Sequence, residues 1–365
     1  MFLKKLSVIQ FKNIAEFHIE LASDVVCITG KNGSGKTNLI DAIHYLTLCK
    51  SFLGSTDAQN IRNGESIFMI QGLFEHDKQL STVACGLKKG QKKTIKKNQK
   101  EYDRLADHIG QFPLVCIAPQ DILLVWESGE NRRKWIDGAI SQFDRDYLFQ
   151  LLRYNHILKQ RNAFLKNSFQ NETNNELLQV FDEQLQASCE LIFQTRKKFI
   201  EELIPLFQWN YDALSSGNEL VHINYESQLQ QESLQSLLIN RRAKDWAMQH
   251  TTAGIHRDDL GFMIDNLSLR KMGSQGQQKT FLIALKLAQF DYISQKTGKK
   301  PFLLLDDIFE KLDEMRIEKL LHLIGEKRFG QVFITHTNSS TLKQLLGDLS
   351  IDFQHISLSE NLVTT

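Results

Sequence analysis

The densest chemical pattern in the chain is Gly30-Lys31-Asn32-Gly33-Ser34-Gly35-Lys36-Thr37, which fits GxxxxGK[ST]. The apolar run Val25-Val26-Cys27-Ile28 precedes it, and apolar residues at helical spacing follow over 38–48, so the context is strand, loop, helix. Glycines let successive backbone N–H groups curl around a β-phosphate without Cβ clashes, and the helix N-terminus adds positive dipole character. In such a loop Lys36 reaches the β and γ oxygens of a nucleoside triphosphate, and Thr37 ligates Mg²⁺ through its hydroxyl. A second pattern is the apolar stretch Phe302-Leu303-Leu304-Leu305 ending in Asp306 and Asp307. Alone it fits a surface turn equally well. Beside a phosphate loop it places Asp306 to hold Mg²⁺ through water and Asp307 to polarise the attacking water.

Between the two lies Met272-Gly273-Ser274-Gln275-Gly276-Gln277-Gln278-Lys279, directly before a predicted helix over 280–293. This segment is similar to the signature loop of ABC-type ATPases, where a hydroxyl, a glycine backbone and a helix N-terminus form a γ-phosphate site. The resemblance implies that Ser274, Gln275, Gly276 and Gln277 face a nucleotide bound by another subunit. Leu312-Asp313 resembles the D-loop of the same superfamily. Thr335-His336, after the last apolar strand, resembles its switch histidine, which contacts the γ-phosphate. A lone histidine beside a strand is otherwise structural; the order of the motifs is what gives His336 a catalytic reading beside Lys36 and Asp307.

Four further segments resemble the RecF family, bacterial ATPases of recombinational repair and replication gaps. Phe11-Lys12-Asn13 matches F-[RK]-N, and Asn131-Arg132-Arg133-Lys134-Trp135-Ile136-Asp137 contains R-R-x-[FW]-[LI]-D. Leu158-Lys159-Gln160-Arg161-Asn162 matches L-K-Q-R-N, and Gly254-Ile255-His256-Arg257-Asp258-Asp259-Leu260 matches G-x-H-R-D-D-L. These matches span almost the whole chain in the family's order. Two places depart from it: Ser128-Gly129-Glu130 stands where the family has glycine-x-proline, and Glu310-Lys311-Leu312-Asp313 where it shows S-E-L-D. The resemblance implies an ATP-binding head with Lys12 and Asn13 at the nucleotide and an ATP-dependent homodimer. It also implies a weak DNA-stimulated ATPase that binds single-stranded and gapped duplex DNA and works with RecO and RecR to load recombinase.

These groups need a scaffold, and the patterning supplies one. Leu6, Val8 and Phe11 open one strand, Phe17, Ile19 and Leu21 alternate in a second, and 67–117 reads as antiparallel strands with turns. From 132 to 209 the pattern is helical. Leu148, Leu151, Leu152 and Leu158 share a face, a polar stretch interrupts, and Thr173-Asn174-Asn175-Glu176 has capping-box spacing. Leu178, Phe181, Leu185, Ile192 and Phe199 then recur every three or four residues or a multiple of that spacing, so two long helices pair antiparallel. Helix 280–293, strand 302–305, helix 315–326 and strand 331–334 return to α/β alternation. The expected fold is α/β: an ABC-type ATPase head, a phosphate-loop mixed sheet with an antiparallel β subdomain, formed by 1–119 and 249–365. A helical lobe, 120–248, is inserted in it.

The 365 residues carry 44 Lys and Arg against 43 Asp and Glu, with 42% hydrophobic and 24% charged, which excludes disorder and a supercharged tail. Any basic surface must therefore be local. No apolar run of about 18 residues can span a bilayer, so no membrane role is expected. The N-terminus lacks the features of a signal peptide, and five scattered cysteines without CxxC read as reduced thiols of a cytoplasmic protein. No histidine or cysteine spacing argues for zinc. The local basic candidate is 88–100, with seven lysines and no acid, and Asn98-Gln99 as a hairpin turn. Lys88, Lys89, Lys92, Lys93, Lys96 and Lys97 either form a ridge that neutralises DNA phosphates without reading sequence, or guard an edge strand. A transporter subunit would carry its signature much closer to Lys36, and an SMC-like ATPase with a structural, non-repair DNA role would carry a far longer arm. The intact set Thr37, Asp306 and Asp307 argues against a scaffold that does not hydrolyse nucleotide.

Overall fold

The computed structural model describes residues 1–127, 129–167, 175–215, 219–309 and 313–358. Ser128, the expected capping box at Thr173, and Glu310, Lys311 and Leu312 lie outside them. The chain divides into two compact units, Met1–Ile122 with Trp209–Asn218 and Gln275–Thr365, and Leu123–Gln208 with Glu219–Ser274.

In the first unit, an antiparallel sheet runs in the order Ile14–Glu20, Phe2–Phe11, Ile67–His76, Gln79–Lys88, Thr94–Lys97, Lys100–Glu101. A parallel sheet runs in the order Gln354–Leu358, Val25–Gly30, Val332–His336, Phe302–Leu305, Leu114–Ile117. The helix Lys36–Leu48 packs on strands of both sheets and is buried on most of its surface. Its Tyr45 packs edge-to-face on Phe11 and Phe68 at 5.7 and 5.4 Å, a geometry that adds to plain area burial. Phe302–Leu305 is buried at every position, as expected of a parallel strand covered on both faces. The run Leu114–Ile117, expected among the antiparallel strands, instead pairs in parallel with Phe302–Leu305. Four consecutive apolar residues suit a strand enclosed on both faces, and this position encloses them. The turn at Asn98 and Gln99 has φ of 50° and 67°, the two left-handed residues of a tight hairpin.

The second unit holds the helices Gly129–Ile140, Arg145–Asn167 and most of Asn175–Leu214, which carries Pro205 inside it. Gln150 meets Ser188 and Arg161 meets Asp182, so the two long helices run antiparallel. Their buried faces differ from expectation in one of the two. Leu178, Leu185, Ile192 and Phe199 are buried as their spacing predicts. On the partner helix the buried side chains are Tyr147, Tyr154, Ile157, Arg161 and Leu165, while Leu152 is 50% exposed. The tyrosines take the inner face because their hydroxyls find polar partners there, Asp137 and His256.

The boundaries also move. Residues 249–274 belong to this unit rather than to the head, because Asp259–Ile264 pairs with Val221–Glu226. Three arginines tie the unit together. Arg132 makes a bidentate pair with Asp259 at 2.7 and 2.9 Å. Fully buried Arg161 reaches Asp182 and Asp245, both at 2.7 Å, and Arg196 bridges Asp137 and Asp258, both at 2.9 Å. Asn162 accepts both the N–H and the hydroxyl of Thr251. The family-like segments at 131–137, 158–162 and 254–260 thus supply much of this network.

Arg161→Met leaves Asp245 a fully buried charge without its cation and should destabilise the protein by about 3–5 kcal/mol, read as a lower urea midpoint by tryptophan fluorescence. Burial also pulls the imidazoles of His44, His108 and His256 down to about 4. The unfolded chain takes these protons near the ordinary value of 6.5, so stability is complete above that pH and is lost as pH falls towards 4. Melting temperature should drop steeply across that window; a flat profile would show that the three rings are not buried neutral.

Candidate functional site

The strand Val25–Gly30 delivers the chain to the loop and Lys36–Leu48 takes it away, with Gly35 as the helix N-cap. Gly33 and Gly35 have φ of 82° and 97°, values that a side chain would strain. A Cβ on Gly30 would lie 2.5 Å from Ser34 Oγ and 2.7 Å from the Leu358 carbonyl, so the close packing also requires glycine. Buried Lys36 donates from Nζ to the carbonyls of Gly30 and Lys31 at 2.7 and 3.1 Å, inside the curl of the loop. Ser34 Oγ is buried with no hydrogen-bond partner, an orphaned hydroxyl in a cradle of the kind that takes an anion.

Across the loop, Thr37 Oγ1 donates to Asp306 Oδ1 at 3.1 Å. Parallel register places Leu305 beside Ile334 and His336 beside Thr29, so Gly30, Asp306 and His336 finish at the same edge of the sheet. Buried Thr335 donates to Asp306 Oδ1 at 2.8 Å and accepts the Asp307 N–H at 2.8 Å. Asp307 itself has φ of 50°. Burial lifts the Asp306 carboxyl above the usual range and the Asp307 charge adds to this, while the hydroxyls of Thr335 and Thr37 pull it back. His336 accepts the Asn338 N–H on Nδ1 at 2.8 Å. Among the described residues, no group of three or more His, Cys, Asp or Glu could hold a metal. The pair Thr37 and Asp306 offers two hard oxygens, which suits Mg²⁺ completed by phosphate and water.

The remaining sequence candidates fall elsewhere. Asn13 backs the loop, donating to the Gly33 carbonyl at 3.0 Å and accepting from Asn38 at 2.7 Å. The ammonium of Lys12 is bound by Asp41 at 2.5 Å and by Ser51, so its bonds go to these side chains rather than to the loop. Gly276 lies in the first turn of Gln275–Thr297 with the Arg316 guanidinium against it, and Asp313 caps the helix Glu314–Gly325 and pairs with Arg316. Ser274 closes the second unit, whereas Gln275 and Gln277 belong to the first. Lys31, Asn32 and Gly33 are exposed at the loop's tip. The lysine ridge is smaller than its sequence. Lys88, Lys89, Lys92 and Lys96 are exposed, but Lys93 bonds the Cys49 carbonyl at 2.5 Å and Asp57 at 2.9 Å. Lys97 lies over Phe112. Lys93, just before the strand Thr94–Lys97, and Lys97 at its end stand two residues either side of buried Ile95. In the sequence Thr335 stands out only as the residue before His336, since a threonine in an apolar strand carries no signal of its own.

A family model described as the RecF/RecN/SMC N-terminal domain matches residues 2–113. The DNA replication and repair protein RecF of Flavobacterium johnsoniae is 46% identical over 339 residues, 93% of this chain and 94% of that one. The solved structure of the recombination mediator protein RecF-ATP in the RecFOR pathway superposes with a TM-score of 0.86 at 32% identity, covering 93% of this chain and 92% of that one. An Smc head domain from Pyrococcus furiosus shares the fold alone, with a TM-score of 0.56 at 16% identity over 98% of this chain and 94% of that one. The antiparallel and parallel sheets with a helical insertion are therefore those of an ABC-type ATPase head. With such identity across nearly its whole length, the chain belongs to the RecF family of DNA replication and repair proteins.

Proposed function

We propose that this chain is a weak, DNA-stimulated ATPase of recombinational repair and replication-gap processing that works as an ATP-dependent dimer on DNA. The observation that carries this reading is the meeting of loop 30–37 with Asp306, Asp307 and His336 at one edge of the parallel sheet, through the Thr37–Asp306 hydrogen bond. ATP binds with its β- and γ-phosphates in the loop, where the ammonium of Lys36 exchanges two carbonyls for phosphate oxygens and Ser34 gains a partner. Thr37 directly and Asp306 through water would hold Mg²⁺, which when bound would supply charge neutralisation at the phosphate oxygens. Asp307 accepts a proton of the attacking water and orients it. Because Nδ1 of His336 accepts the Asn338 N–H, the neutral ring carries its proton on Nε2 and donates from there to the γ-phosphate.

Ser274, Gln275, Gly276 and Gln277 of a second copy, with Asp313 beside them, complete the far side of the nucleotide. A ligand gripped from two sides stabilises only the closed dimer, so binding closes it and hydrolysis opens it. The solved relative bound to ATP in the RecFOR pathway supports ATP as the nucleotide and RecO and RecR as partners. Full-length identity to RecF favours repair over a structural SMC-like role. Single-stranded or gapped duplex DNA runs over Lys88, Lys89, Lys92 and Lys96, held through its phosphates.

Lys36→Met should abolish ATP binding. Asp307→Asn should keep binding and slow hydrolysis by about 100-fold or more, holding the dimer closed in sedimentation with ATP and DNA. An Asp307→Asn chain that stays monomeric at saturating ATP and DNA sinks the clamp. Replacing the four exposed lysines with glutamine should weaken duplex binding and reduce its salt slope by roughly 0.9 for each phosphate that is no longer neutralised. Lys93→Gln should instead lower the melting temperature, since Asp57 loses its cation. An unchanged slope in the fourfold variant would mean that these lysines only guard a strand.

A further inference from the structure

Thr335 is fully buried, and each use of its hydroxyl is accounted for by a group at the site. It donates to Asp306 Oδ1 and accepts the backbone N–H of Asp307, each at 2.8 Å. A hydroxyl has one proton to give and lone pairs to receive, so one side chain restrains two consecutive residues. Asp306 Oδ1 also accepts from Thr37. Thr37 can keep donating to this oxygen while a lone pair faces a divalent ion, so Thr335 is a second donor that fixes the same carboxylate oxygen from the neighbouring strand. Asp307, meanwhile, sits at φ of 50°, a conformation uncommon for a residue with a side chain, which persists where surrounding bonds over-determine it. The N–H that Thr335 captures belongs to that residue. The branched side chain of threonine in a strand has a stiff χ1, which sets the hydroxyl more firmly than serine would.

From this geometry we propose that Thr335 is a positioning residue for hydrolysis: it fixes the Asp306 carboxylate for the divalent ion and the left-handed backbone that aims Asp307. The proposal rests on the roles of Asp306 and Asp307 given above. It also joins the histidine strand to the carboxylate strand, because Thr335 directly precedes His336.

The test uses the full chain with Thr335→Val, which keeps the shape and loses the hydroxyl, Thr335→Ser, which keeps the hydroxyl, and Asp307→Asn. Steady-state hydrolysis is measured with DNA, and binding of a fluorescent ATP analogue is titrated against Mg²⁺. Thr335→Val should lower kcat by about 10- to 100-fold with KM for ATP changed less than about 3-fold, and raise the half-saturating Mg²⁺ concentration by about 10-fold. Thr335→Ser should restore both to within about 3-fold of the parent. Amide hydrogen exchange of Asp307 in the unsubstituted chain gives a readout that needs no folded variant: strong protection supports the bond to Thr335. Exchange as fast as in an exposed loop overturns the proposal, as does a folded Thr335→Val chain with unchanged kcat and Mg²⁺ midpoint. If Asp307→Asn hydrolyses ATP normally, the catalytic reading of Asp307 fails, whereas the Mg²⁺ midpoint of Thr335→Val still decides the part concerning Asp306.

Discussion

Parallel pairing of Val25–Gly30, Val332–His336 and Phe302–Leu305 is the constraint on which the site depends. Parallel strands bring their carboxyl ends to one edge, where open α/β sheets gather their ligand groups. Thr37 and Asp306 are 269 residues apart in the sequence and hydrogen-bonded in space. The register decides this as much as the direction. A slip of one residue would turn Thr335 to the opposite face and separate it from Asp306. Enclosure of these strands on both faces by apolar neighbours holds the register in place.

The phosphate loop adds a different kind of order. Its glycines permit a backbone that other residue types adopt only with strain at Gly33 and Gly35, and Asn13 fastens the outside of the curl through the Gly33 carbonyl. Lys36 sits within the curl, bonded to two carbonyls, so the loop is organised before a phosphate competes for that ammonium. Phosphate binding as proposed would then need little reorganisation, which is the physical content of a preorganised electrostatic site.

The second unit works by another logic. Charged groups as deep as Arg161, Asp245, Arg196 and Asp258 are tolerated because each faces an opposite charge at hydrogen-bond distance. We read the three arginine networks as fasteners that allow one packing of the helices, since any slipped arrangement strands a buried charge. The motifs by which the sequence resembles RecF at 131–137, 158–162 and 254–260 are thus architectural more than chemical. Their thiol neighbour Cys189, like the other buried cysteines, has its pKa raised by burial and is correspondingly unreactive.

Local chemistry was legible in the residues themselves: eight positions of a loop dictate their own backbone, an apolar run ending in two carboxylates announces a strand end, and helical spacing identified Leu178, Leu185, Ile192 and Phe199 as core. What depends on partners distant in the chain was not. Lys92 and Lys93 are the same residue type side by side, yet one is exposed and the other reaches Asp57 and the Cys49 carbonyl, partners more than thirty residues away in the chain. Leu148 and Leu152 look like core until Tyr147 and Tyr154 take the inner face by satisfying their hydroxyls against Asp137 and His256. The run Leu114–Ile117 suits any enclosed strand, and only its pairing with Phe302–Leu305 assigns it a sheet. The sequence by itself determined the nucleotide chemistry and the alternation of elements, because both are written within a few neighbouring residues. The tertiary structure decided which faces are buried, where the units divide and that Thr335 serves Asp306 and Asp307, because a hydrogen bond or a packed face is a property of two segments brought together.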